Sequence, residues 1–359
     1  MIDWKQWSEK PNEGNISKYP TITDIVEDII KDEESDLVNK YPLSHNKTFI
    51  SKLERLGKYC LVISSEDSND MELIPASKSR LTLYRGQNEY YDKCLPSLFR
   101  CNDAAVLKAR LQFSELLIFL SKHPILKDCV YNKHTIEWLA QHYGIPTHYL
   151  DLTTDKWVAA FFATTIYDNG NYYPVDITNP KHPKFGVLYR YSVTQNLYNK
   201  NTGKIHYIGM NYFNRPGRQS AAVIDLKDDK DLNSLVGFEK IFFRHDNDAS
   251  NLIYSLSLKG GKYFPKDSLG QSIDKFLGAS VFSSLAVDIC RNTFYCDKSR
   301  KDFILWMYYN GFAETAIPQL TYTSDILQEI DDWNKEGRER YNRSIVKIPI
   351  MKYDREKEN

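Results

Sequence analysis

Apolar residues recur at helical spacing in several stretches of the chain. Val106, Leu107, Ala109, Phe113, Leu117 and Leu120 predict a long helix from about Asn102-Asp103 to Ser121, ended by His123-Pro124. A second helix over Thr135–Tyr143 has Thr135 as its cap and Gly144 as its stop. A third begins after Thr154-Asp155 and runs from Trp157 to Ala163. It is apolar on nearly all sides, so it is expected to be buried. Near the start, Ile22–Ile30 follows a capping Thr21 or Thr23, and Lys47–Leu56 is a weaker helical stretch. After about residue 265 helical patterns return at Ser268–Phe276, Val281–Asp288, Ile304–Asn310 and Ser324–Glu336.

The middle of the chain reads differently. Leu81–Tyr84, running into Arg85-Gly86, is a short strand, and Phe185–Tyr191, Ala221–Leu226 and Phe238–Arg244 are three more. Asn/Gly-rich segments at Asp168–Asn171 and Asn199–Gly203 read as loops, and the acids Asp225, Asp228, Asp229 and Asp231 as a solvated turn. Strands do not alternate regularly with helices, so the pattern is α+β rather than repeated βαβ. It divides the chain into an N-terminal extension (1–75), an α+β domain (76–270) and a helical C-terminal region (271–359). The tail from Lys352 reads as loose.

Composition narrows the class. The 359 residues carry 47 Lys+Arg and 47 Asp+Glu, and an even balance argues against coating nucleic acid or anionic lipid by bulk charge. A local basic groove stays compatible with it, so nucleic acid remains among the alternative partners. The 13% aromatic share belongs to a folded chain. No apolar run approaches the roughly 18 residues that span a bilayer, and the first residues lack the apolar core of a signal peptide. No membrane partner is expected, and the cytoplasm is the expected compartment. Six scattered cysteines without a Cys-x-x-Cys pair suit free thiols, and no metal is expected.

Familiar catalytic signatures are missing. No Gly-x-Gly-x-x-Gly follows a strand and no Gly-x-Ser-x-Gly elbow occurs. Lys259-Gly260-Gly261-Lys262 lacks the upstream Gly of a phosphate loop and has Tyr263 where a hydroxyl would hold magnesium. His142 and His148 are separated by a Gly/Pro break and cannot share a helix face as metal ligands.

Two segments are dense in chemistry. One is Tyr84-Arg85-Gly86-Gln87 with Leu95-Pro96-Ser97-Leu98-Phe99-Arg100. The other runs from Gln141-His142-Tyr143-Gly144-Ile145-Pro146-Thr147 through Asp151 to Thr153-Thr154. An Arg beside a Gly at a strand offers a fixed cationic fork next to approachable backbone. His, Asp and Thr groups held between apolar helices must be hydrogen-bonded, to each other or to a ligand. The bland reading is a helix stop, a turn-making Asp and an N-cap.

Together the segments resemble the FRG domain family, named for its Phe/Tyr-Arg-Gly signature. The likeness is good over about 80–190 and fades towards 270. His148 stands where that family usually has Arg, and Leu152 where it usually has Trp. The family in turn resembles ADP-ribosyltransferases, which implies a mixed or antiparallel split β-sheet core with helical additions at both ends, and NAD as a substrate. On this resemblance Arg85, Gln219 and Thr153 are the catalytic group. Arg85 meets the NAD phosphate or ribose, and Gly86 offers backbone to the nicotinamide amide. Thr153 and Thr154 form the hydroxyl pair, and Phe161 lies near the nicotinamide pocket. Gln87, Arg100, His142, Tyr143 and Asp151 complete the nucleotide contacts. Gln219 stands where a Glu is expected, and Glu239 is the alternative carboxylate. The implied function is ADP-ribosyl transfer to an unknown macromolecular acceptor, as a toxin or defence effector. The alternatives are an NAD glycohydrolase, a non-catalytic nucleotide- or nucleic-acid-binding module, and a purely structural role. All the nucleotide readings require Arg85 and Thr153 to flank one hollow.

Overall fold

The computed structural model describes residues 4–39, 59–63, 71–75, 81–123, 133–193, 205–207, 214–227, 231–264, 267–332 and 335. In chain order the strands are β1 (Tyr59–Ile63), β2 (Met71–Pro75), β3 (Leu81–Gln87), β4 (Tyr149–Thr153), β5 (Thr165–Asp168), β6 (Asn171–Pro174), β7 (Phe185–Val193), β8 (Ile205–Tyr207), β9 (Ala221–Asp225), β10 (Phe238–Arg244), β11 (Val281–Ser283) and β12 (Ala313–Thr315). The helices are α1 (Ile22–Asn39), α2 (Asp103–Ser121), α3 (Lys133–His142), α4 (Lys156–Thr164), α5 (Asn214–Arg218), α6 (Asn247–Leu256), α7 (Ser268–Leu277), α8 (Ser284–Phe294), α9 (Arg300–Tyr309) and α10 (Ser324–Asp332).

Local chemistry explains most helix starts. The Thr21 hydroxyl accepts from the Asp24 N–H while the Asp24 carboxylate accepts from the Thr21 N–H, a reciprocal cap that opens α1. Asn102 and Asp155 cap α2 and α4 in the same manner, each accepting a backbone N–H of the first turn. Gly144 ends α3: at φ +83° it lets the Ile145 N–H return to the Ala140 carbonyl.

The central sheet has the strand order β10-β7-β3-β4-β9-β8, with every neighbouring pair antiparallel. Side chains alternate between its faces, as a period of two requires. Leu83, Leu150, Leu152, Val187, Tyr189, Tyr191 and Phe242 build a core on one face. On the other, Tyr84, Leu188, Ile241 and Phe243 pack beneath α1, α4 and α6, while Tyr149, Ala221 and Val223 pack beneath Trp138 of α3. The helices α7–α10 join α2 and α3 in a further apolar cluster.

The sheet is nearly divided at its centre. β3 pairs with β7 along its whole length, from Leu81–Val193 to Gln87–Val187, yet meets β4 only at Tyr84–Thr153. Just past that pair, α4 lies directly on β3. A Cβ added to Gly86 would fall 1.8 Å from the Ala159 carbonyl oxygen and 2.8 Å from the Ala163 Cβ. The small residues of α4 and the absent side chain of Gly86 therefore serve one close approach. This glycine packs against a helix, which differs from the backbone contact with a ligand expected above.

Several expectations change. The α+β class holds, with an antiparallel sheet. Tyr149–Thr153, read as a polar connection, is a central strand, because Tyr149, Leu150, Leu152 and Thr153 are buried around Asp151. Val281–Ser283, read as the start of a helix, pairs in parallel with Ala313–Thr315 before α8 begins. Asp168–Asn171 is the tight end of the β5–β6 hairpin, with positive φ at Asn169 and Gly170, the conformation a two-residue hairpin turn needs. Of the acidic run, Asp231 is structural: its carboxylate accepts the Cys94 and Asn233 N–H groups. Lys47–Leu56, Asn199–Gly203, Asp228, Asp229 and the tail from Lys352 lie outside the described residues. Among those described, no helix is long and apolar enough to cross a membrane.

Two consequences can be measured. Gly86→Ala should lower the unfolding free energy by about 3 kcal/mol, since a backbone carbonyl cannot give way cheaply; urea denaturation reads this. The second concerns His245, which follows β10 and donates from Nε2 to the Asn88 carbonyl at 2.7 Å. Burial lowers its pKa from 6.5 to about 4, against the raising effect of that bond. The native imidazole stays neutral while the unfolded one gains a proton, so its stabilisation is complete above pH 6.5 and lost as pH falls through about 4. The urea midpoint should drop over that window, and less steeply in His245→Gln.

Candidate functional site

Where β3 and β4 part, the Asp151 carbonyl has no partner strand. Arg85 supplies one: its Nη1 donates to the Asp151 carbonyl oxygen at 2.9 Å across the opening. The strand-borne guanidinium thus bridges the split, and its Nε has no hydrogen-bond partner among the described residues. Tyr189 lies opposite Arg85 in the register, and Gln87 extends along the same strand to the Cys94 Sγ at 3.5 Å.

On the helix-covered face, the side chain of Asp151 emerges between α3 and the turn before β9. Its Oδ2 accepts from Gln141 Nε2 at 3.3 Å. The orientation of that amide follows from its neighbours. Tyr149 N–H donates to Thr147 Oγ1, so the Thr147 hydroxyl proton points to Gln141 Oε1 at 2.6 Å and the amide nitrogen faces Asp151.

His142 closes the other side. Gln219 Nε2 donates to the Tyr263 carbonyl at 3.3 Å, which leaves its Oε1 facing His142 Nδ1 at 3.1 Å. An amide oxygen only accepts, so Nδ1 carries a proton and Nε2 is the nitrogen turned to Asp151. That nitrogen faces Asp151 Oδ1 at 3.7 Å, outside hydrogen-bond distance, and neither atom has a hydrogen-bond partner among the described residues. The His142 side chain is 3% exposed and that of Asp151 42%. The Asp151 side chain meets the solvent away from Oδ1, which is buried against the imidazole.

Thr153 ties the arrangement to the turn ahead of β9. Its hydroxyl donates to the Gln219 carbonyl at 2.7 Å and accepts the Asp155 N–H at 3.0 Å, while the Thr154 N–H donates to the Ser220 carbonyl. Ser220 takes a positive φ of 45°, which turns the chain back into β9. Arg215 of α5 lies over the Tyr143 ring at 4.8 Å and the Phe264 ring at 5.6 Å, and donates to the His142 carbonyl at 3.3 Å. Phe264 stacks on Tyr172 of β6 at 4.8 Å. Burial raises the Tyr172 phenol pKa above its ordinary value, and the charges of Arg215 and Asp151 act on it as well. The hairpin therefore forms an aromatic flank close to both.

The residues singled out in the sequence divide into two groups. His142, Asp151, Thr153 and Gln219 are brought together on the helix-covered face, Arg85 joins them from the opposite face through the Asp151 carbonyl, and Thr154 is joined through its backbone. Tyr143 is fully buried, its hydroxyl pKa raised by burial and by Asp267, and it supports Arg215 rather than facing solvent. Phe161 is also fully buried, among Tyr172, Tyr263 and Phe264. Arg100 is exposed at the end of the turn Ser97–Arg100, which hooks onto Thr147 through the Leu98 N–H and the Ser97 hydroxyl. Glu239 pairs across the strands with Arg190 at 3.3 Å on a distant part of the sheet. His148, where the resemblance expects Arg, lies 4.0 Å from Glu137 and 3.7 Å from Asp225, between two carboxylates.

Gln141 and Arg215 were not among the expected site residues. Gln141 stands inside a quoted motif and Arg215 four residues before Gln219, but their role depends on which side of a helix or turn faces the cluster, and spacing alone does not give that.

The FRG domain family model matches residues 80–171, a stretch containing Arg85, Gln141, His142, Asp151 and Thr153. Gln219, Arg215, Tyr263 and Phe264 come from beyond it. Searches of curated proteins and of solved structures found no match. Thr153→Val tests the network itself. Losing one donor and one acceptor should cost about 2 kcal/mol of stability, read as a lowered urea midpoint.

Proposed function

We propose that the FRG domain of this chain, completed by the segment around Gln219, binds NAD and transfers its ADP-ribosyl group to an acceptor. The observation that carries this reading is the convergence on a single break in the sheet of Arg85, from the face of Leu83 and Tyr189, and of Asp151, His142, Thr153 and Gln219 on the opposite face. A break between strands, polar within and flanked by the rings of Tyr172 and Phe264, suits a ligand with hydroxyls, charge and flat rings. A split sheet of this kind is also what the resemblance to ADP-ribosyltransferases implies, so the narrow β3–β4 junction supports the same fold assignment. In this reading Arg85 keeps β4 at its distance and presents its remaining donors to the nucleotide. Thr153 sets the position of Gln219, which in turn holds the His142 ring.

A second reading has its own support. Gln219 is neutral where the resemblance expects a carboxylate, and Arg85 is already bonded to Asp151, so a module that binds a nucleotide without turning it over is the alternative. Hydrolysis of NAD to ADP-ribose is a variant of the first, with water as the acceptor.

Incubating the protein with radiolabelled NAD and a cell lysate separates these. The expected outcome is release of nicotinamide with label on a macromolecule; label only on free ADP-ribose indicates the hydrolase. Calorimetric binding of ADP-ribose without nicotinamide release supports the non-catalytic module. Absence of both binding and release at millimolar NAD rules out the nucleotide reading. Arg85→Ala should weaken ADP-ribose binding by about tenfold, the size of one charge-assisted hydrogen bond.

A further inference from the structure

We infer that the turn Ser257–Phe264 and the outer face of α6 form the docking surface for the acceptor, and that this acceptor is a protein presenting apolar side chains beside carboxylates. This rests on the transfer reading above and names the partner which that reading leaves open.

The turn has an unusual backbone. Leu258 and Lys259 take φ of +53° and +58°, and Gly260 follows at +87°. The left-handed region suits Gly and Asn, whereas a bulky residue is strained there. Packing explains only the glycine, where a Cβ would fall 3.2 Å from the Phe161 ring. Leu258 is 73% exposed and Lys259 is exposed too, so neither strained residue contributes its side chain to the core. Strain held without a gain in packing points to side chains used at the surface. The turn is not a phosphate cradle. The N–H groups of Lys259, Gly260, Gly261 and Lys262 all donate within the turn or back to α6, so Lys-Gly-Gly-Lys has none left for an anion.

The helix before the turn continues the surface. It buries Ala249, Ser250 and Ile253 and leaves Leu252 and Leu256, one turn apart, half exposed. From Ala249 to Phe264 the chain holds no acid, while Lys259 and Lys262 are exposed and neither forms an ion pair among the described residues. Asp155, which acts on the buried Tyr263 phenol, is engaged in capping α4. Three exposed leucines beside two lysines match a protein surface of apolar groups and carboxylates. A nucleic acid would meet the lysines with its phosphates but leave the leucines unmatched.

The inner side of the same turn ties this surface to the site. The Tyr263 carbonyl accepts from Gln219 at 3.3 Å, and Phe264 stacks on Tyr172 and lies under Arg215. A partner seated on Leu258 and Lys259 is therefore held a few residues from the break. In the transfer, the bond between C1′ and the nicotinamide nitrogen breaks with its electron pair on the leaving ring. A lone pair of the acceptor forms the new bond, and the acceptor's proton passes to solvent. Water as acceptor needs no docking surface. A protein does, because its reacting group must be held in place while the bond forms.

The test uses the full chain, radiolabelled NAD and the proteins of a cell lysate. Leu258→Gly and Lys259→Glu should each lower labelling of lysate protein about tenfold, with calorimetric ADP-ribose affinity and the KM for NAD unchanged. Lys259→Arg should label as the wild type does. Leu258→Gly should not lower the urea midpoint, because glycine relieves the left-handed strain; a packing role would lower it. When the lysate is separated by anion exchange, the label should lie on the retained, acidic proteins. Unchanged labelling in both variants overturns the docking surface and leaves the transfer reading standing. So does a loss of labelling matched by a loss of ADP-ribose affinity. Label that nuclease removes, or that lies only on unretained proteins, overturns the stated partner. A wild type that leaves label only on free ADP-ribose overturns the protein acceptor and keeps the NAD reading. A wild type that binds ADP-ribose without releasing nicotinamide, or is silent in both assays, overturns this inference together with the transfer reading.

Discussion

Everything in the site depends on one interruption of backbone pairing. A buried carbonyl without a partner costs free energy comparable to a lost hydrogen bond, so strands that separate inside a core need another donor. Here the donor is the guanidinium of Arg85, which reaches the Asp151 carbonyl at 2.9 Å just past the Tyr84–Thr153 pair. A lysine could supply a charge but not the planar fork that can bridge two strands and still present further N–H groups. Gly86 answers the other half of the problem, since α4 descends onto β3 where any side chain would strike Ala159. Arg-Gly is thus a paired requirement: one residue spans the opening and the next admits the helix beside it.

That division bears on how a short motif is read. A glycine next to an arginine invites a ligand-contact explanation, yet the backbone of Gly86 is covered by protein. The same caution applies to Phe161, whose place among Tyr172, Tyr263 and Phe264 makes it part of the foundation beneath the aromatic flank. Both residues shape the site from beneath. Substitutions there would register first as changes in stability, and only then as changes in any ligand assay.

Helices were legible in the sequence because capping and periodicity are local. Asn102, Asp155 and Gly144 mark their boundaries by chemistry that operates within a few residues. The strands of the sheet centre were harder. Phe238–Arg244 announces itself by β-branched and aromatic content, whereas Tyr149–Thr153 carries an Asp and a Thr in a buried central position. Polar residues there look like a loop until their partners are known, and those partners lie far away: Arg85 is 66 positions before Asp151, and Gln219 is 66 after Thr153. Which of Asp151 and Gln219 faces outward is decided by contacts at that range. Spacing along the chain could place both near one site but could not rank them.

His142 and His148 sit in contrasting surroundings. Both are near carboxylates, yet they differ in what stands on the other side of the ring. His148 lies between Glu137 and Asp225, and Asp225 is also paired with Lys227 at 3.3 Å, so the groups there find their partners within the protein. His142 has a neutral amide on one nitrogen and the Asp151 carboxylate before the other, and the Arg215 guanidinium bonds to its backbone carbonyl. One cluster is closed upon itself; the other buries an imidazole nitrogen and a carboxylate oxygen 3.7 Å apart, each without a hydrogen-bond partner among the described residues, while the rest of the Asp151 side chain is exposed. Burying two polar atoms side by side without a hydrogen bond between them costs free energy that the surrounding bonds of Gln141, Gln219 and Thr153 must offset.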